Sequence, residues 1–481
     1  MRTYRFLTAA LFLLACSSDP NGVSLDGGAD AGGDAGVAVD GGTQDGGAPF
    51  DGGVPPFDGG VTLFDGGVTL DAGTPADGGG AVDGGSADGG PGLDGGGADG
   101  GGADGGLVGP ATWCELPGSV TGAVVPAGFC VRQFAQVQTP RVLAFAPNGD
   151  LFVGAPSSIT PGGAPSGLGG IYALYDDDKN GVADINNVYL SGPQYSSLHG
   201  VLFHQGRLHY TTRDSVMSVP YAAGERRLPV GTTATRVADL SDPGVSDRFT
   251  HTLAADAMGR LYVSRGQFDN ATCPPPNPRG GSVLRIGAGQ HPNGDVVMTG
   301  FRNPMYINCA PWGCYAAELT GDAWFGIGGK EKLVKFRDGD NYGYPCCVEN
   351  NRPVPGVTPA PDCSTVAVQV QSYPLADTPF GFDWDVARTF PEPYRGGLFM
   401  AFHGSFDRWV NVGLGFIKTD AVTGDPIEAS TPFVTGWGRM GPIVGRPADV
   451  KFAPDGRMFF ADDQAGGIYW VAPTTLRRPG R

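Results

Sequence analysis

A short β-hairpin pattern recurs six times along the chain and constrains the fold more than any other feature. Each copy has an apolar strand, a turn rich in Gly, Asn or Asp, and a second strand, as in "VLAFAPNGDLFVGAP" and "DVKFAPDGRMFFADD". The copies begin at residues 142, 201, 253, 306, 381 and 449. Between the turns Val, Phe, Tyr and Leu alternate or run together, which is strand periodicity and not helix periodicity. The pattern predicts an all-β protein.

The spacing of the copies favours a propeller. Their starts lie 52 to 75 residues apart, more than the ~40 residues of a compact propeller repeat, so each repeat also carries long loops. A four-stranded blade cannot cover its own faces and gains a core by stacking on its neighbours around a ring. We therefore expect a six-bladed β-propeller over residues 111–481. A β-sandwich or two smaller β domains is the alternative fold.

The amino-terminal residues have the features of an export signal. Arg2 and Arg5 precede an apolar run that is too short to span a bilayer. The ending "LLAC" resembles the lipobox of bacterial lipoproteins, which implies a signal peptide over 1–15 and lipidation of Cys16. The expected location is the outer membrane or the periplasm, with the lipid as the only membrane contact. Plain secretion with a coincidental cysteine is the alternative.

An Asp/Gly-rich tract follows, and it contains sixteen aspartates and no lysine or arginine. Such a segment cannot bury enough apolar surface to offset chain entropy, so residues 16–110 are expected to form a disordered, self-repelling stalk. A calcium-binding repeat roll is the alternative, but it requires a strict nonapeptide period.

The stalk accounts for most of the net charge of −17. Residues 111–481 contain 30 basic and 33 acidic residues, so this part is nearly neutral. Nothing in that balance indicates a nucleic-acid partner or would repel a charged substrate.

Nine cysteines occur, and eight remain once Cys16 is set aside. An even number in an exported protein predicts up to four disulfides. Cys114 with Cys130 and Cys309 with Cys314 are the plausible local pairs, and the spacings do not fit a zinc site.

Polar side chains stand just before several predicted inner strands, where a propeller would bring them to one channel. In "GFRNPMYI", Pro304 holds Asn303 extended beside Arg302. The other candidates are His251, His403, Arg408 and Arg446. An imidazole can accept a proton near neutral pH, and guanidinium groups bind carboxylates bidentately. A purely structural histidine is the alternative for His251.

Five motifs occur in the order found in one enzyme family: "HTLAADAMGRLYVSRG", "GFRNPMYI", "DGDNYGYP", "PYRGGLFMAFHGSFDR" and "GRPADVKFAPDGRMFFADD". Over residues 128–472 the chain resembles the soluble quinoprotein sugar dehydrogenases of the glucose/sorbosone dehydrogenase family. The resemblance implies a six-bladed propeller that binds pyrroloquinoline quinone (PQQ) and Ca²⁺ and oxidises an aldose, a polyol or a sugar aldehyde. An external acceptor would take the electrons.

The resemblance also implies roles for individual residues. His251 stands where the family has its catalytic base. The residues expected to bind the cofactor are Arg302, Asn303, Arg446, His403 and Arg408. Glu318 and Glu331 lie in the segment of the family's calcium site, although the family's Gly-Pro turn is replaced by Thr320-Gly321.

A second calcium site is predicted in the loop "DDDKNGVAD". Its oxygen ligands would be Asp176, Asp178, Asn180 and Asp184, as in the first half of an EF-hand loop. A solvated turn is the alternative.

The leading interpretation is therefore an envelope-anchored, PQQ-dependent dehydrogenase. A non-catalytic surface propeller that binds carbohydrate or protein is the alternative. A propeller lactonase using a calcium-bound water fits less well, because it needs several carboxylate or amide ligands in the channel.

Overall fold

The computed structural model describes residues 111–157, 169–241, 250–267, 272–287, 291–320, 329–348, 351–405 and 408–479. The chain divides into two units, Met1–Asp99 and Gly100–Arg481, and all described residues belong to the second. The predicted signal peptide, Cys16 and the stalk therefore lie outside the described residues, and their boundaries stay predictions.

Twenty-six strands form six four-stranded antiparallel sheets and one two-stranded ribbon in the described residues. The first strand is β1 (Phe129–Gln136). Blade 1 contains β2 (Val142–Phe145), β3 (Leu151–Ala155), β4 (Gly169–Tyr175) and β5 (Ile185–Gly192). Blade 2 contains β6 (Val201–His204), β7 (Arg207–Thr211), β8 (Ser215–Pro220) and β9 (Thr235–Asp239). Blade 3 contains β10 (Leu253–Ala255), β11 (Leu261–Arg265), β12 (Ser282–Ile286) and β13 (Asp295–Met298).

The remaining strands complete the ring. Blade 4 contains β14 (Asn303–Ala310), β15 (Gly313–Leu319), β16 (Glu331–Lys335) and, after the ribbon β17 (Cys347–Val348) and β18 (Arg352–Pro353), β19 (Gln371–Tyr373). Blade 5 contains β20 (Pro379–Trp384), β21 (Leu398–Phe402), β22 (Gly413–Ile417) and β23 (Thr431–Val434). Blade 6 contains β24 (Pro447–Phe452), β25 (Met458–Asp462) and β26 (Gly467–Pro473).

The first strand of the chain closes the ring. β1 pairs with β26 as the fourth strand of blade 6, with Phe129 opposite Pro473. The inner strands β2, β6, β10, β14, β20 and β24 contact one another in that order, and β24 contacts β2. The six-bladed propeller is confirmed, and the sandwich alternative is wrong because each sheet packs on two neighbours.

Each predicted hairpin forms the inner two strands of one blade. In blade 1 the turn is closed by backbone hydrogen bonds from Ala146 to Asp150 and from Gly149 to Ala146. Gly149 has φ +90°, a left-handed conformation that glycine adopts at no steric cost. The second strands β3, β11, β21 and β25 are buried along their whole length because they lie between two neighbouring blades.

Side-chain oxygens accept hydrogen bonds from backbone N–H groups at the free edges of the inner strands. The Leu143 N–H donates to Asp449 Oδ2 at 2.7 Å, and the Phe452 N–H donates to Asp383 Oδ2 at 2.9 Å. The Ile307 N–H donates to Thr252 Oγ1 at 3.1 Å. Each bond joins two adjacent blades and satisfies a backbone donor that would otherwise be buried without a partner.

Four disulfides are present, as the cysteine count predicts. Cys114–Cys130 and Cys309–Cys314 confirm the two predicted local pairs. The other two are Cys273–Cys346 and Cys347–Cys363, so adjacent cysteines join two different loops.

Two 3₁₀ helices, Trp113–Glu115 and Pro193–Tyr195, are the helices of the described residues. No helix in the described part of the chain combines the length and the apolar composition that a membrane span needs.

Candidate functional site

Polar residues precede or begin the inner strand of each blade, at one end of the channel. We call this set the mouth residues. They are Arg141, His199, His251, Arg302, Thr378 and Arg446, and each is at most 9% exposed. The inner strands contact one another around the ring, and His199 interacts electrostatically with Arg141, His251 and Asp463, so residues more than 300 positions apart in the chain meet at the mouth.

Two further polar groups at the mouth come from the ends of second strands. The backbone N–H of His403 donates to the Thr378 carbonyl, and the backbone N–H of Asp463 donates to the Arg446 carbonyl. These bonds place His403 and Asp463 at the same level as the mouth residues of blades 5 and 6.

Asp463 is the negative centre of the mouth. Its carboxylate lies 2.8 Å from Arg141 Nε and 3.0 Å from His403 Nε2, and none of the three side chains is more than 6% exposed. Burial by itself would raise the pKa of Asp463, but Arg141 and His403 outweigh it and the pKa falls to about 2. A carboxylate from blade 6 therefore links blades 1 and 5 across the mouth.

In the described part of the chain, the hydrogen bonds of the Arg446 guanidinium go to backbone carbonyls, while its backbone N–H donates to Asp462 Oδ1 at 2.8 Å. Its Nε donates to the His403 carbonyl at 2.9 Å, and its Nη2 donates to the carbonyls of Gly404 and Ser405. The guanidinium also lies over the Trp409 ring, 5.0 Å from its centroid. Burial lowers its pKa to about 10, so the group stays charged at neutral pH while its charge is balanced only from a distance.

Arg302 and Asn303 stand on a rigid turn at the start of β14. Gly300 has φ +80°, and a Cβ there would lie 2.1 Å from Asn341 Oδ1, so no other residue fits. Arg302 Nη1 donates to the Thr320 carbonyl at 3.0 Å. Thr250 Oγ1, next to His251, donates to Asn303 Oδ1 at 2.6 Å. Arg302 and Asn303 therefore lie beside the residues that blade 3 contributes to the mouth.

His251 is buried with both ring nitrogens close to backbone carbonyls. Nδ1 lies 3.1 Å from the Ser264 oxygen, and Nε2 lies 3.1 Å from the Arg213 oxygen. Burial, with a contribution from Arg265, lowers its pKa to about 4, so the ring is neutral at pH 7. The base role of His251 stays a prediction, and it would require one of these contacts to open.

Arg408 lies apart from the buried mouth. It is exposed, and its backbone N–H donates to Ser405 Oγ at 3.0 Å. Its predicted cofactor contact would therefore come from the rim of the channel and not from its interior.

Glu318 and Glu331 are fully buried and bind backbone N–H groups. Glu318 accepts from the Arg302 N–H at 2.9 Å and pairs with Lys332 Nζ at 3.3 Å. Glu331 accepts from the Thr320 N–H at 2.7 Å, and burial raises its pKa to about 8. Residues 321–328, in the predicted calcium turn, lie outside the described residues. The calcium role of the two glutamates stays a prediction.

The second predicted calcium loop brings its oxygens together. One carboxylate oxygen from each of Asp176, Asp178 and Asp184 lies within 4.8 Å of the others. Asp176 accepts from the backbone of Asn180 and Gly181. Ion binding at this loop stays a prediction.

Arg141, His199 and Asp463 were not singled out by the sequence analysis. Arg141 precedes "VLAFAPNGD" much as Arg446 precedes "PADVKFAPDG", and His199 precedes the inner strand of blade 2. Alignment of the six copies with one another could have found these two. Asp463 follows a second strand, where no pattern marked it.

No protein-family model matches the chain, and no curated protein matches its sequence. The fold is similar to a Trichoderma reesei carbohydrate-active enzyme of family AA12, with TM-score 0.61 and 18% identity over 73% of this chain and 97% of that one. It is also similar to the PQQ domain of pyranose dehydrogenase from Coprinopsis cinerea in its holo form, with TM-score 0.59 and 17% identity over 74% and 98%. A glucose dehydrogenase gives TM-score 0.52 and 18% identity over 71% and 99%. At these identities the likeness shows a shared fold.

Proposed function

We propose that the chain is a PQQ-dependent dehydrogenase that oxidises the hydroxyl group of an aldose, a polyol or a sugar aldehyde. The observation that carries the proposal is the charge of the mouth. Two buried arginines from neighbouring blades, Arg141 and Arg446, lie close enough to one carboxylate, Asp463, to lower its pKa. A buried excess of guanidinium charge favours a ligand that brings its own carboxylates.

The donor set fits a planar tricarboxylate quinone. Arg302 and Arg446 would bind its carboxylates, and the Asn303 amide would donate to a ring oxygen. When bound, the quinone supplies the two-electron oxidising power that no amino-acid side chain has. Glu318 and Glu331 would contribute to a Ca²⁺ site beside it. The propeller fold shared with the Coprinopsis cinerea PQQ domain supports the same proposal.

The chain's own residues would orient the substrate. The mouth residues and their partners come from rigid strand ends, so they can hold a sugar hydroxyl without reorganisation. Electrons would leave to an external acceptor, because a cofactor reduced in one turnover must be reoxidised before the next.

Quinone uptake and dye reduction test this proposal. Purified protein is loaded with PQQ and Ca²⁺, uptake is measured by equilibrium dialysis, and dye reduction is followed with a panel of aldoses. Arg446→Met should weaken PQQ binding at least ~30-fold, since truncating a buried charged partner costs 2–5 kcal/mol. Arg395→Met is the matched control because the Arg395 side chain is 47% exposed. Arg446→Lys keeps the charge and guards against a folding defect.

The alternative is a non-catalytic surface propeller that binds carbohydrate or protein. One observation favours it: Nε and Nη2 of Arg446 already donate to backbone carbonyls, and both ring nitrogens of His251 face backbone carbonyls. Protein that takes up no PQQ at micromolar concentration, yet retains a sugar on an affinity column, would establish this alternative.

Anchoring at the cell envelope is part of the proposal and rests on the sequence alone. Metabolic labelling with an alkyne fatty acid should mark the full-length chain, and Cys16→Ser should abolish the label. An unlabelled wild-type chain in the culture medium would instead establish plain secretion.

A further inference from the structure

Oxidation of a sugar hydroxyl needs a group that accepts the hydroxyl proton, and the structure offers three channel histidines, His199, His251 and His403. A useful acceptor has a ring nitrogen with a free lone pair and access to the substrate. The hydrogen bonds of each ring decide which nitrogen meets both conditions. This inference rests on the function proposed above.

His251 has no accessible lone pair. A carbonyl oxygen can only accept, and a neutral imidazole has one N–H. One of its two contacts, to Ser264 and to Arg213, is therefore a nitrogen lone pair facing an oxygen. Both sides of the ring are closed by backbone.

His403 has a free nitrogen, but it is enclosed. Its Nε2 bonds to Asp463, and its ring stacks on Phe380 with centroids 4.0 Å apart and an angle of 9° between the planes. Nδ1 has no hydrogen-bond partner in the described part of the chain and is fully buried. A substrate hydroxyl cannot reach it without a rearrangement of blade 5.

His199 meets both conditions. Its Nδ1 lies 3.1 Å from the Ser197 carbonyl, so the proton must be on Nδ1 and the lone pair on Nε2. No described residue donates a hydrogen bond to Nε2. His199 is also the most exposed of the channel histidines, at 9% against 4% for His251 and 3% for His403.

The position of His199 is rigid and central. Thr211 Oγ1 accepts from the Gly200 N–H at 2.8 Å and donates to the His251 carbonyl at 2.8 Å, which ties the starts of β6 and β10 together. Arg141, His251 and Asp463 are near enough to affect its titration. Burial, followed by Arg141, lowers its pKa to about 3, so the ring is neutral at pH 7.

We propose that His199 Nε2, and not His251, accepts the proton of the substrate hydroxyl. The O–H bond breaks and a bond forms between that proton and Nε2. When bound, the quinone would supply the two-electron oxidant that takes the C–H hydrogen as hydride, so that the carbon–oxygen bond becomes a carbonyl. His251 and Thr211 then serve as positioning residues for the two strand starts.

The first test does not depend on turnover. The chain has six histidines, so ¹⁵N-histidine labelling gives a spectrum that single His→Gln variants can assign. At pH 7, His199 should show a protonated Nδ1 and an unprotonated Nε2. A spectrum with the proton on Nε2 would overturn the proposal.

The second test compares variants of the PQQ-loaded protein. His199→Gln should lower kcat 10²- to 10⁴-fold, the usual contribution of a general base, while PQQ affinity stays within threefold of wild type. His291→Gln, at an exposed position, is the matched control. Activity of His199→Gly should recover with added imidazole, which a structural role would not allow.

The outcomes separate the two proposals. A His199→Gln variant as active as wild type, with His251→Gln inactive, would overturn the His199 assignment alone. Loaded wild-type protein that oxidises no sugar or aldehyde would overturn the proposed function and the His199 assignment together.

Discussion

Replacing Asp463 with asparagine should cost far more stability than its single lost charge suggests. The carboxylate is the partner of Arg141 at 2.8 Å, and the two side chains are 0% and 6% exposed. Asp463→Asn keeps the shape but leaves a buried guanidinium without its counter-charge. Breaking a buried pair in this way costs about 3–5 kcal/mol.

The pKa provides a second route to the magnitude. The pKa of Asp463 is about 2 in the folded protein and 3.8 in its ordinary range, which corresponds to about 2 kcal/mol. Because the folded value is the lower one, this stabilisation is present above pH 3.8 and is lost as the pH falls toward 2. The difference between wild type and variant should therefore shrink between pH 4 and pH 2.

Urea unfolding followed by tryptophan fluorescence at pH 7 and at pH 3 measures the effect. The matched control is Glu428→Gln, since Glu428 pairs with Lys418 at a similar 2.9 Å but both side chains are more than half exposed. Solvent screens such an exposed pair, so its loss should change the free energy of unfolding little. The double variant Arg141→Met/Asp463→Asn should recover part of the loss, because it also removes the unpaired cation. Equal costs for Asp463→Asn and Glu428→Gln would refute the reasoning.

Three further predictions concern other parts of the propeller. Ca²⁺ at 100 times its Kd should raise Tm by about 3–4 °C. Asp178→Asn should remove this shift, whereas Asp177→Asn, whose carboxylate pairs with Arg226, should keep it. Equal responses of the two variants would argue against the site. Gly300→Ala should unfold at lower urea than Gly149→Ala, because both have positive φ but a Cβ meets a neighbouring atom only at Gly300; equal midpoints would contradict this. Burial raises the pKa of Asp449 to about 7, so its stabilisation is lost as the pH rises through that value. Between pH 5 and pH 8, wild type should therefore lose about 2 kcal/mol more unfolding free energy than Asp449→Asn. Parallel pH profiles of the two proteins in urea unfolding would contradict this prediction.

The blade hairpins were predictable because each is a local structure. An apolar strand, a turn such as "APNGD" and a second strand form within about fifteen residues. The alternation of apolar and polar side chains along such a segment therefore predicts which face of each strand is buried. Cys114–Cys130 and Cys309–Cys314 were predictable for the same reason, since the partners are 16 and 5 residues apart. The position of Arg302 and Asn303 on a stiff turn also follows from the neighbouring Gly300 and Pro304.

The chemistry of the mouth was decided by contacts between distant residues. The sequence presents His199, His251 and His403 as similar imidazoles, and only the folded ring shows that carbonyls close His251 and that Asp463 holds His403 from 60 residues away. Likewise, no local pattern could show that β1 would close blade 6 or that Asp463 would pair with Arg141 across more than 300 residues. A hairpin depends on its own residues, whereas the free lone pair of a buried ring depends on which backbone groups the other blades bring to it.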